Sequence, residues 1–351
     1  MERNRTREVM VGKVSVGNFS RISIQSMLKR PLSDFEGNVA QALELERAGC
    51  DILRVAVLDV SSVKLISLLK ERLNIPIVSD IHFDYRLALE SIAAGADKIR
   101  INPGNIGDAG RIKKLVSACA NKGIPIRIGV NSGSLPKKIL KKYGGPTSEA
   151  MCESASDQVK LLESLDFTDI IISVKSSRVC TMIRAYEMIS ERCDYPLHLG
   201  VTEAGCTQQG IVKSACGIGS LLARGIGDTI RVTLTDDPLK EVSVAKDLLL
   251  VLGVRKVGIE IISCPSCGRT KVDLINLVNR VKEHYQDYDG KNLKLAIMGC
   301  AVNGPAEAKE ADLGVACGDG EGVIFKKGRV IKKISEEGIF KELIEQVKSL
   351  N

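Results

Sequence analysis

Residues 51–82 read DILRVAVLDVSSVKLISLLKERLNIPIVSDIH, and they contain the repeating unit on which the fold prediction depends. The two ends of this stretch, Asp51–Val57 and Pro76–His82, are short and rich in isoleucine and valine, as buried strands are. Between them, Val63–Leu73 has the apolar spacing of a helix. Because a strand, a helix and a second strand follow one another, the stretch predicts a parallel βαβ unit.

The same alternation recurs through the first part of the chain. Helical spacing also occurs at Asn38–Ala48 and Ala155–Leu165. Repeated βα units of this kind predict a closed (β/α)8 barrel of the TIM type. An open doubly wound sheet is the alternative, but the glycine-rich fingerprint that follows its first strand is missing here. The eight predicted strands are Arg21–Leu28, Asp51–Val57, Pro76–His82, Lys98–Pro103, Pro125–Asn131, Ile170–Ser177, Leu197–Glu203 and Thr229–Thr235.

The chain changes character after the helix predicted at Pro238–Leu252. Asp237 caps that helix at its start, and Gly253 ends it. We therefore predict a barrel over residues 1–254 and a small α+β domain over residues 255–351. The elements predicted in the second domain are a strand at Val257–Ile262, a helix at Val272–Tyr285, a strand at Leu293–Met298 and a hairpin at Gly322–Ile334 that turns near Gly328.

Length and composition agree with this division. The 351 residues suffice for a barrel of about 250 residues and a second domain of about 100. Aromatic residues make up only 3% of the chain, which argues against base-stacking surfaces for nucleic acid. The net charge of +7 suits an acidic ligand. Because no apolar signal or membrane-spanning run is present, we expect a cytoplasmic protein whose 11 cysteines stay reduced.

Cationic side chains collect at the carboxyl ends of the predicted strands, where barrel enzymes place their active sites. Burying so many cations without anionic partners is unfavourable, and arginine suits bidentate contacts with phosphate oxygens. We therefore predict a diphosphate site. The alternative is that these cations pair with Asp80 and Glu203. The candidate substrate-binding residues are Arg54, Arg100, Arg127, Asn131, Lys175, Arg231 and Thr233.

Three cysteines form the other candidate site. Cys264 and Cys267 make a C-x-x-C turn after a predicted strand, and Cys300 follows the next strand, with Glu307 close behind. Three thiolates and a carboxylate suit a [4Fe–4S] cluster with one chemically distinct iron. A redox dithiol and a zinc site are the alternatives. Structural zinc prefers four nitrogen or sulfur ligands, for which Cys317 is the candidate fourth.

With these motifs in order, the chain resembles the 4-hydroxy-3-methylbut-2-enyl diphosphate synthases of the non-mevalonate isoprenoid pathway, in their shorter bacterial form. The resemblance covers nearly the whole chain. The matching stretches are Asp80–Arg86 (DIHFDYR), Arg100–Gly107 (RINPGNIG), Pro125–Asn131 (PIRIGVN), Val174–Ser176 (VKS), His198–Gly205 (HLGVTEAG), Cys264–Arg269 (CPSCGR) and Gly299–Glu307 (GCAVNGPAE).

The resemblance implies an activity and its components. The substrate would be 2-C-methyl-D-erythritol 2,4-cyclodiphosphate, opened by two-electron reduction with loss of water. A [4Fe–4S] cluster on Cys264, Cys267, Cys300 and Glu307 would receive electrons from flavodoxin or ferredoxin. The chain departs from the family at Ala306, where glycine is usual. If that position needs a positive φ, alanine costs about 1 kcal/mol.

Two further expectations concern catalysis and assembly. Glu203 is the candidate proton donor to the leaving oxygen, and the alternative role for it is an ion pair with Arg231 or Lys175. The helix Pro238–Leu252 carries the chain away from the barrel mouth, so we expect a head-to-tail homodimer in which each second domain serves the partner's barrel. The competing functions are a zinc-stabilised nucleic-acid-binding protein and a cluster-free barrel enzyme acting on another phosphate or a pterin.

Overall fold

The computed structural model describes residues 3–102, 106, 109–255, 258–285, 288, 290, 292–300 and 309–350. Two compact units make up the chain, Met1–Leu252 and Gly253–Asn351. They are called the barrel unit and the C-terminal unit below. The predicted boundary, between residues 254 and 255, lies two residues beyond the division between these units.

The barrel unit contains the predicted eight-stranded parallel sheet, so the fold prediction is confirmed. Its order is β8-β7-β6-β5-β4-β3-β10-β9, and a parallel bridge between Ile172 and Leu197 joins the two outer strands. In chain order the strands of the unit are β1 Val9–Val11, β2 Val14–Val16, β3 Ser23–Met27, β4 Ile52–Val57, β5 Ile77–Ile81, β6 Lys98–Ile101, β7 Ile126–Asn131, β8 Ile170–Lys175, β9 His198–Leu199 and β10 Thr229–Ile230.

The last two barrel strands are shorter than predicted. The backbone of β9 continues as Gly200, where an added Cβ would lie 2.7 Å from Lys175 Nζ and 2.9 Å from the carbonyl oxygen of Arg231. A glycine is therefore required for the close approach of these residues. The chain then turns at Glu203 and Gly205, which both have positive φ, so the ladder ends early.

A short hairpin covers the amino-terminal end of the barrel. Its antiparallel strands β1 and β2 pack three valines onto residues at the amino ends of three barrel strands. The sequence did not predict this hairpin, because three-residue strands are too short for an alternating pattern to be recognised. The packed residues are Val9, Val11 and Val16 from the hairpin and Ile52, Val78 and Ile171 from the barrel.

Helices surround the barrel and begin at side-chain caps. Asp34, Asp59, Asp84, Thr147 and Asp237 each accept a hydrogen bond from a backbone amide in the first turn of the helix that follows. The caps explain why the helices predicted at Asn38–Ala48, Val63–Leu73 and Ala155–Leu165 begin a few residues earlier in the structure. The helices are α1 Phe35–Arg47, α2 Val60–Arg72, α3 Tyr85–Ala93, α4 Ala109–Lys122, α5 Lys137–Tyr143, α6 Ser148–Glu163, α7 Val179–Ser190, α8 Thr207–Ser214, α9 Ser220–Leu222 and α10 Pro238–Val251.

In its described residues, the C-terminal unit has a five-stranded mixed sheet and two α-helices. Its first three strands are parallel and its last three are antiparallel, and the final hairpin turns at Gly328 as predicted. The helices pack Leu277, Val281, Leu343 and Val347 onto the sheet. The elements are β11 Ile259–Ser263, α11 Leu274–His284, β12 Leu293–Met298, β13 Leu313–Cys317, β14 Glu321–Lys326, β15 Arg329–Ser335 and α12 Ile339–Lys348.

Within the described ranges, no helix is both long enough and apolar enough to cross a membrane.

Candidate functional site

The interior of the barrel carries six cationic side chains, which we call the barrel cation cluster. Side chains alternate along a strand, so residues two apart on β6, such as Lys98 and Arg100, face the same side. All six are buried or nearly so. Lys98 was not predicted as a site residue, although its position two residues before Arg100 was a usable signal. The cluster consists of Arg54, Lys98, Arg100, Arg127, Lys175 and Arg231.

Asp80 neutralises part of the cluster. Its carboxylate accepts hydrogen bonds from Arg54 Nη2 at 2.5 Å and from Arg100 Nη1 at 2.9 Å. Burial works to raise the pKa of Asp80, but Arg54, His82 and Arg100 hold that pKa well below its usual value. The alternative prediction is therefore correct for these two arginines, since both pair with Asp80.

Glu241, on α10, provides the second buried carboxylate. It lies 3.6 Å from Arg231 Nη2 and 2.8 Å from Lys29 Nζ. It also accepts a hydrogen bond from the backbone amide of Leu234 at 2.9 Å. The alternative considered from the sequence paired Glu203 with Arg231 or Lys175, whereas the acid beside Arg231 is Glu241.

Three members of the cluster have no ion pair with any residue in the described ranges, namely Lys98, Arg127 and Lys175. Arg127 Nη1 donates a hydrogen bond to Gln25 Oε1 at 3.4 Å, and its Nε has no partner there. Burial, and then the charge of neighbouring cations, lowers the pKa of each of the three well below its usual value. Buried cations without counter-ions make this interior suited to an anion.

The structure brings the predicted substrate residues together. Arg100 and Arg127 are cross-strand neighbours, as are Asn131 and Lys175. Lys175 is close enough for electrostatic interaction with Arg127, Arg231, Arg54 and Arg100. Thr233 lies half-buried just beyond β10. The predicted residues thus come from five strands and share the barrel interior, with Asn131, Lys175 and Thr233 at or just beyond the carboxyl ends of their strands.

Glu203 follows β9 at the same end of the barrel. It is exposed and has a φ of 51°, a left-handed conformation that is unfavourable for a residue with a side chain. The ion pair with Arg231 or Lys175 is not formed, because within the described chain neither cation pairs with Glu203. Residues held in such backbone conformations cluster at functional sites.

The three candidate ligand cysteines of the C-terminal unit lie on two adjoining turns. Cys264 follows β11 and Cys300 follows β12, and these strands are parallel neighbours. The backbone amide of Gly299 donates a hydrogen bond to Cys264 Sγ at 3.3 Å. The backbone amide of Lys271 in turn donates to the Gly299 carbonyl at 3.1 Å. These bonds fix the C-x-x-C turn against the segment that carries the third cysteine.

Thr270 and Gly299 determine how closely the two turns approach. Cys267 donates its backbone amide to Thr270 Oγ1 at 3.1 Å and accepts the Thr270 amide at 2.9 Å. A Cβ added at Gly299 would lie 2.8 Å from Thr270 Cγ2. Hydrogen bonds from the backbone and side chain of Arg269 lower the pKa of Cys267, which favours the thiolate form that ligates metals.

The described residues place limits on the metal site. All 11 cysteines lie in the described ranges and are free. Cys317 is buried in the core of the C-terminal unit, and burial raises the pKa of its thiol to about 12, so it is a poor fourth ligand for zinc. Glu307 and Ala306 lie outside the described residues. Among those that are described, no group of three histidine, cysteine, aspartate or glutamate side chains is arranged to hold a metal ion.

Family models match both units of the chain. The GcpE TIM-barrel domain matches residues 6–246, and the GcpE protein C-terminal domain matches residues 260–349. The chain belongs to the GcpE family. The resemblance inferred from the motifs is thereby confirmed.

Relatives from the GcpE family match along the whole chain. A protein of Clostridium perfringens named 4-hydroxy-3-methylbut-2-en-1-yl diphosphate synthase (flavodoxin) is 55% identical over 100% of both chains. A protein of the same name from Caldanaerobacter subterraneus is 55% identical over 99% of this chain and 98% of its own. A third, from Fusobacterium nucleatum, is 53% identical over 98% and 96%.

Solved structures resemble the GcpE barrel in fold alone. Dihydropteroate synthase from Stenotrophomonas maltophilia has a TM-score of 0.51 at 15% identity, covering 71% of this chain and all (100%) of that chain. The enzyme from Xanthomonas albilineans has a TM-score of 0.51 at 13% identity, covering 70% and 98%. Because identity is so low, this likeness carries no argument for a pterin substrate.

Proposed function

We propose that the protein catalyses the reductive opening and dehydration of 2-C-methyl-D-erythritol 2,4-cyclodiphosphate to 4-hydroxy-3-methylbut-2-enyl diphosphate. Counted on the protonated acids, the reaction takes up two electrons and two protons and releases one water. The observation that carries the proposal is the set of three buried cations that form no ion pair with any described residue, inside a barrel of this family. Full-length relatives at 55% identity that bear the synthase name support the same reaction.

In this proposal the barrel cation cluster binds the diphosphate. Arg127 and Lys175 have no carboxylate partner among the described residues, so their charges are available to phosphate oxygens. Arg54 and Arg100 are held by Asp80, which fixes the direction of their guanidinium groups. Asn131 and Thr233 supply neutral hydrogen-bond donors at the edge of the site.

We assign the metal site to the C-terminal unit. The adjoining turns with Cys264, Cys267 and Cys300, the free thiols and the lowered pKa of Cys267 suit iron–sulfur ligation, with Glu307 as the fourth ligand. When bound, a [4Fe–4S] cluster supplies the electrons of the reduction one at a time. The chain's own part is to hold the thiolates in place through the amides of Gly299 and Thr270.

Glu203 has the proposed role of proton donor. It lies at the carboxyl end of the barrel, beyond β9, and has a left-handed backbone conformation. In this role its carboxyl group donates a proton to the oxygen that leaves as water. General acids of this kind contribute about 10²- to 10⁴-fold to the rate.

The electron donor, assembly and compartment are part of the same proposal. A flavodoxin is the proposed donor, because the relatives carry that word in their names. Helix α10 begins after β10 and spans about 21 Å, so the barrel unit ends far from its mouth. A head-to-tail homodimer in which each C-terminal unit serves the partner's barrel follows from this. Free cysteines support a reducing, cytoplasmic setting.

The test is turnover by protein purified without oxygen. With flavodoxin and its reductase, the cyclodiphosphate should be converted to the linear diphosphate, seen as new phosphorus resonances. Cys180→Ser, at an exposed cysteine, is the matched control for Cys300→Ser, which should be inactive. Protein that is loaded with iron and sulfide but leaves the substrate unchanged would contradict the proposal.

Subunit mixing tests the dimer. Arg127→Met disables one barrel and Cys264→Ser disables one cysteine site. If sites are shared between protomers, exchanging subunits of these two inactive variants restores one intact site in each heterodimer, and activity returns. A mixture that stays inactive after demonstrated exchange would refute sharing.

A further inference from the structure

Lys98 is the least exposed member of the barrel cation cluster. It is fully buried at the first position of β6, two residues before Arg100 on the same face. Its cross-strand neighbour on β5 is Val78, which belongs to the apolar layer packed on the β1–β2 hairpin. Lys98 Nζ has no hydrogen-bond partner among the described residues. The amine therefore has both apolar and cationic neighbours, and the cationic ones include Arg54 and Arg127.

The groups that face Lys98 are mostly positive. Arg127 and Arg54 interact with it most strongly. The inward-facing carboxylate on these strands, Asp80, is already shared by two arginines. The charged or titratable groups facing Lys98 are Arg54 on β4, Asp80 on β5, Arg100 on its own strand, Arg127 on β7, Lys175 on β8, His198 on β9 and Arg231 just after β10.

The cluster can reduce its own repulsion by losing protons from its lysines. A guanidinium group stays protonated in proteins, so the arginines keep their charge. Burial and the neighbouring arginines lower the pKa of Lys98 and of Lys175 well below the usual value. His198 is affected in the same sense, since burial, Arg127, Lys175 and Lys98 lower its pKa. Lysine, unlike arginine, shifts its pKa readily when it is buried.

An incoming diphosphate reverses this balance. Two negative charges among the arginines favour the charged form of every nearby amine, so they raise its pKa. Lys175, at the end of β8, lies next to the mouth, whereas Lys98 has no solvent contact at all. Each phosphorus of a cyclic diphosphate carries one ionised oxygen and no proton that titrates near neutrality. A proton gained on binding must therefore come from solvent and go to the protein.

We propose that the barrel binds its diphosphate substrate together with a proton from solvent, and that Lys98 is the positioning residue that takes it up. The inference rests on the proposed function. As an ammonium group, Lys98 adds a positive charge beneath Arg127 and draws the anion toward the arginine layer. At a pH above its free-state pKa, Lys98 is a neutral amine and spares the empty barrel that charge.

The sign of the pH dependence follows from linkage. The pKa of Lys98 is higher in the complex than in the free protein, so the affinity is fully present below the free-state pKa. It is lost as pH rises through the window between the free and bound values. Within that window the association constant falls about tenfold per pH unit for each proton taken up.

Calorimetric titration of the holoenzyme with the cyclodiphosphate, without reductant, measures the proton directly. The heat of binding is compared in buffers of different ionisation enthalpy across neutral and alkaline pH. The parent protein should take up about one proton more than Lys98→Met within that window. Lys114→Met, at an exposed lysine on α4, is the matched control and should behave as the parent.

The outcomes separate the inference from the proposed function. Binding with equal proton uptake in the parent and Lys98→Met would overturn the role of Lys98 alone. Absence of binding by the parent would overturn the proposed function and this inference with it. If Lys98→Met does not fold, Lys98→Gln serves in its place. If the parent binds the substrate but takes up no proton at any pH, the inference is overturned without any variant.

Discussion

The barrel cation cluster and the two cysteine turns both belong to sets of parallel strands, yet they are built in different ways. In the barrel the functional groups are side chains on the strands themselves, and three of them are buried without an ion pair in the described chain. In the C-terminal unit the cysteines lie on turns after the strands. There the positions are fixed by backbone hydrogen bonds through Gly299 and Thr270.

This difference determines how each region relates function to stability. Buried cations without ion pairs destabilise the free barrel, and a bound anion stabilises them. The residues that bind the substrate therefore lower the stability of the free fold. The cysteine turns are held by satisfied backbone groups, so their geometry does not depend on the ligand. Replacing an unpaired barrel cation should therefore weaken substrate binding but stabilise the fold. Replacing a cysteine ligand should abolish metal binding and leave the stability of the fold nearly unchanged.

The largest effect is expected at the cysteine turns. Cys300→Ser removes a thiolate ligand and should abolish both iron binding and turnover, while the melting temperature of metal-free protein stays within a few degrees of the parent. Iron and sulfide analysis of anaerobic protein measures this. Cys180→Ser is the control at an exposed position. Full iron content in Cys300→Ser would remove this cysteine from the ligand set.

At the barrel mouth, Glu203→Gln keeps the size and backbone of the residue but cannot donate a proton. We expect kcat to fall by about 10²- to 10⁴-fold with little change in KM. Glu203→Gly should in addition raise the free energy of unfolding by about 1 kcal/mol, because it relieves the positive φ. An unchanged kcat in Glu203→Gln would assign the proton to another group.

The cation cluster itself provides the sharpest contrast between binding and stability. Arg127→Met removes a buried charge that has no ion pair in the described chain. Substrate binding should weaken by about 1.5 to 3 kcal/mol, and the free energy of unfolding should rise by about 1 kcal/mol. Calorimetry and denaturant unfolding give the two values.

Arg54→Met is the matched comparison for Arg127→Met. It leaves Asp80 with one arginine partner instead of two, so it should weaken binding and also lower the free energy of unfolding. If both variants destabilise the fold equally, the distinction between paired and unpaired cations is wrong.

The smallest effect concerns the contact between the turns. Gly299→Ala would bring a methyl group to 2.8 Å from Thr270 Cγ2. We expect a loss of about 1 to 3 kcal/mol in the stability of the C-terminal unit. Thr270→Ser keeps the hydroxyl that Cys267 donates to but removes the clashing methyl group, so the double variant should regain most of the loss. No recovery in thermal unfolding would mean that Gly299 is needed for another reason.

Long apolar patterns were predictable from the sequence, and short or long-range features were not. Ile126–Asn131 and Leu293–Met298 end as predicted, because their isoleucine, leucine and valine content is typical of buried strands. The β1–β2 hairpin, β13 and α12 were missed. The hairpin strands are too short for a clear period, and β13 owes its place to pairing with strands on both sides.

The same limit applied to the site. The arginines of the barrel strands were found because their inward positions follow from the barrel alone. Lys98 was missed, since a lysine at the start of a strand is ordinarily solvated. Only the closed barrel shows that this position faces inward above an apolar layer. The partner of Arg231 was also missed, because Glu241 reaches it from a helix.

The β1–β2 hairpin beneath the barrel determines the route by which ligands enter and leave. With Val9, Val11 and Val16 sealing the amino-terminal end, ligands in the described barrel come and go by the carboxyl end. Substrate and product then use the same opening, and the product still carries the diphosphate that the arginines bind. The product must vacate before the next substrate enters. Inhibition by the product should therefore be competitive with the substrate. A simple diphosphate compound should bind at the same opening and inhibit in the same way.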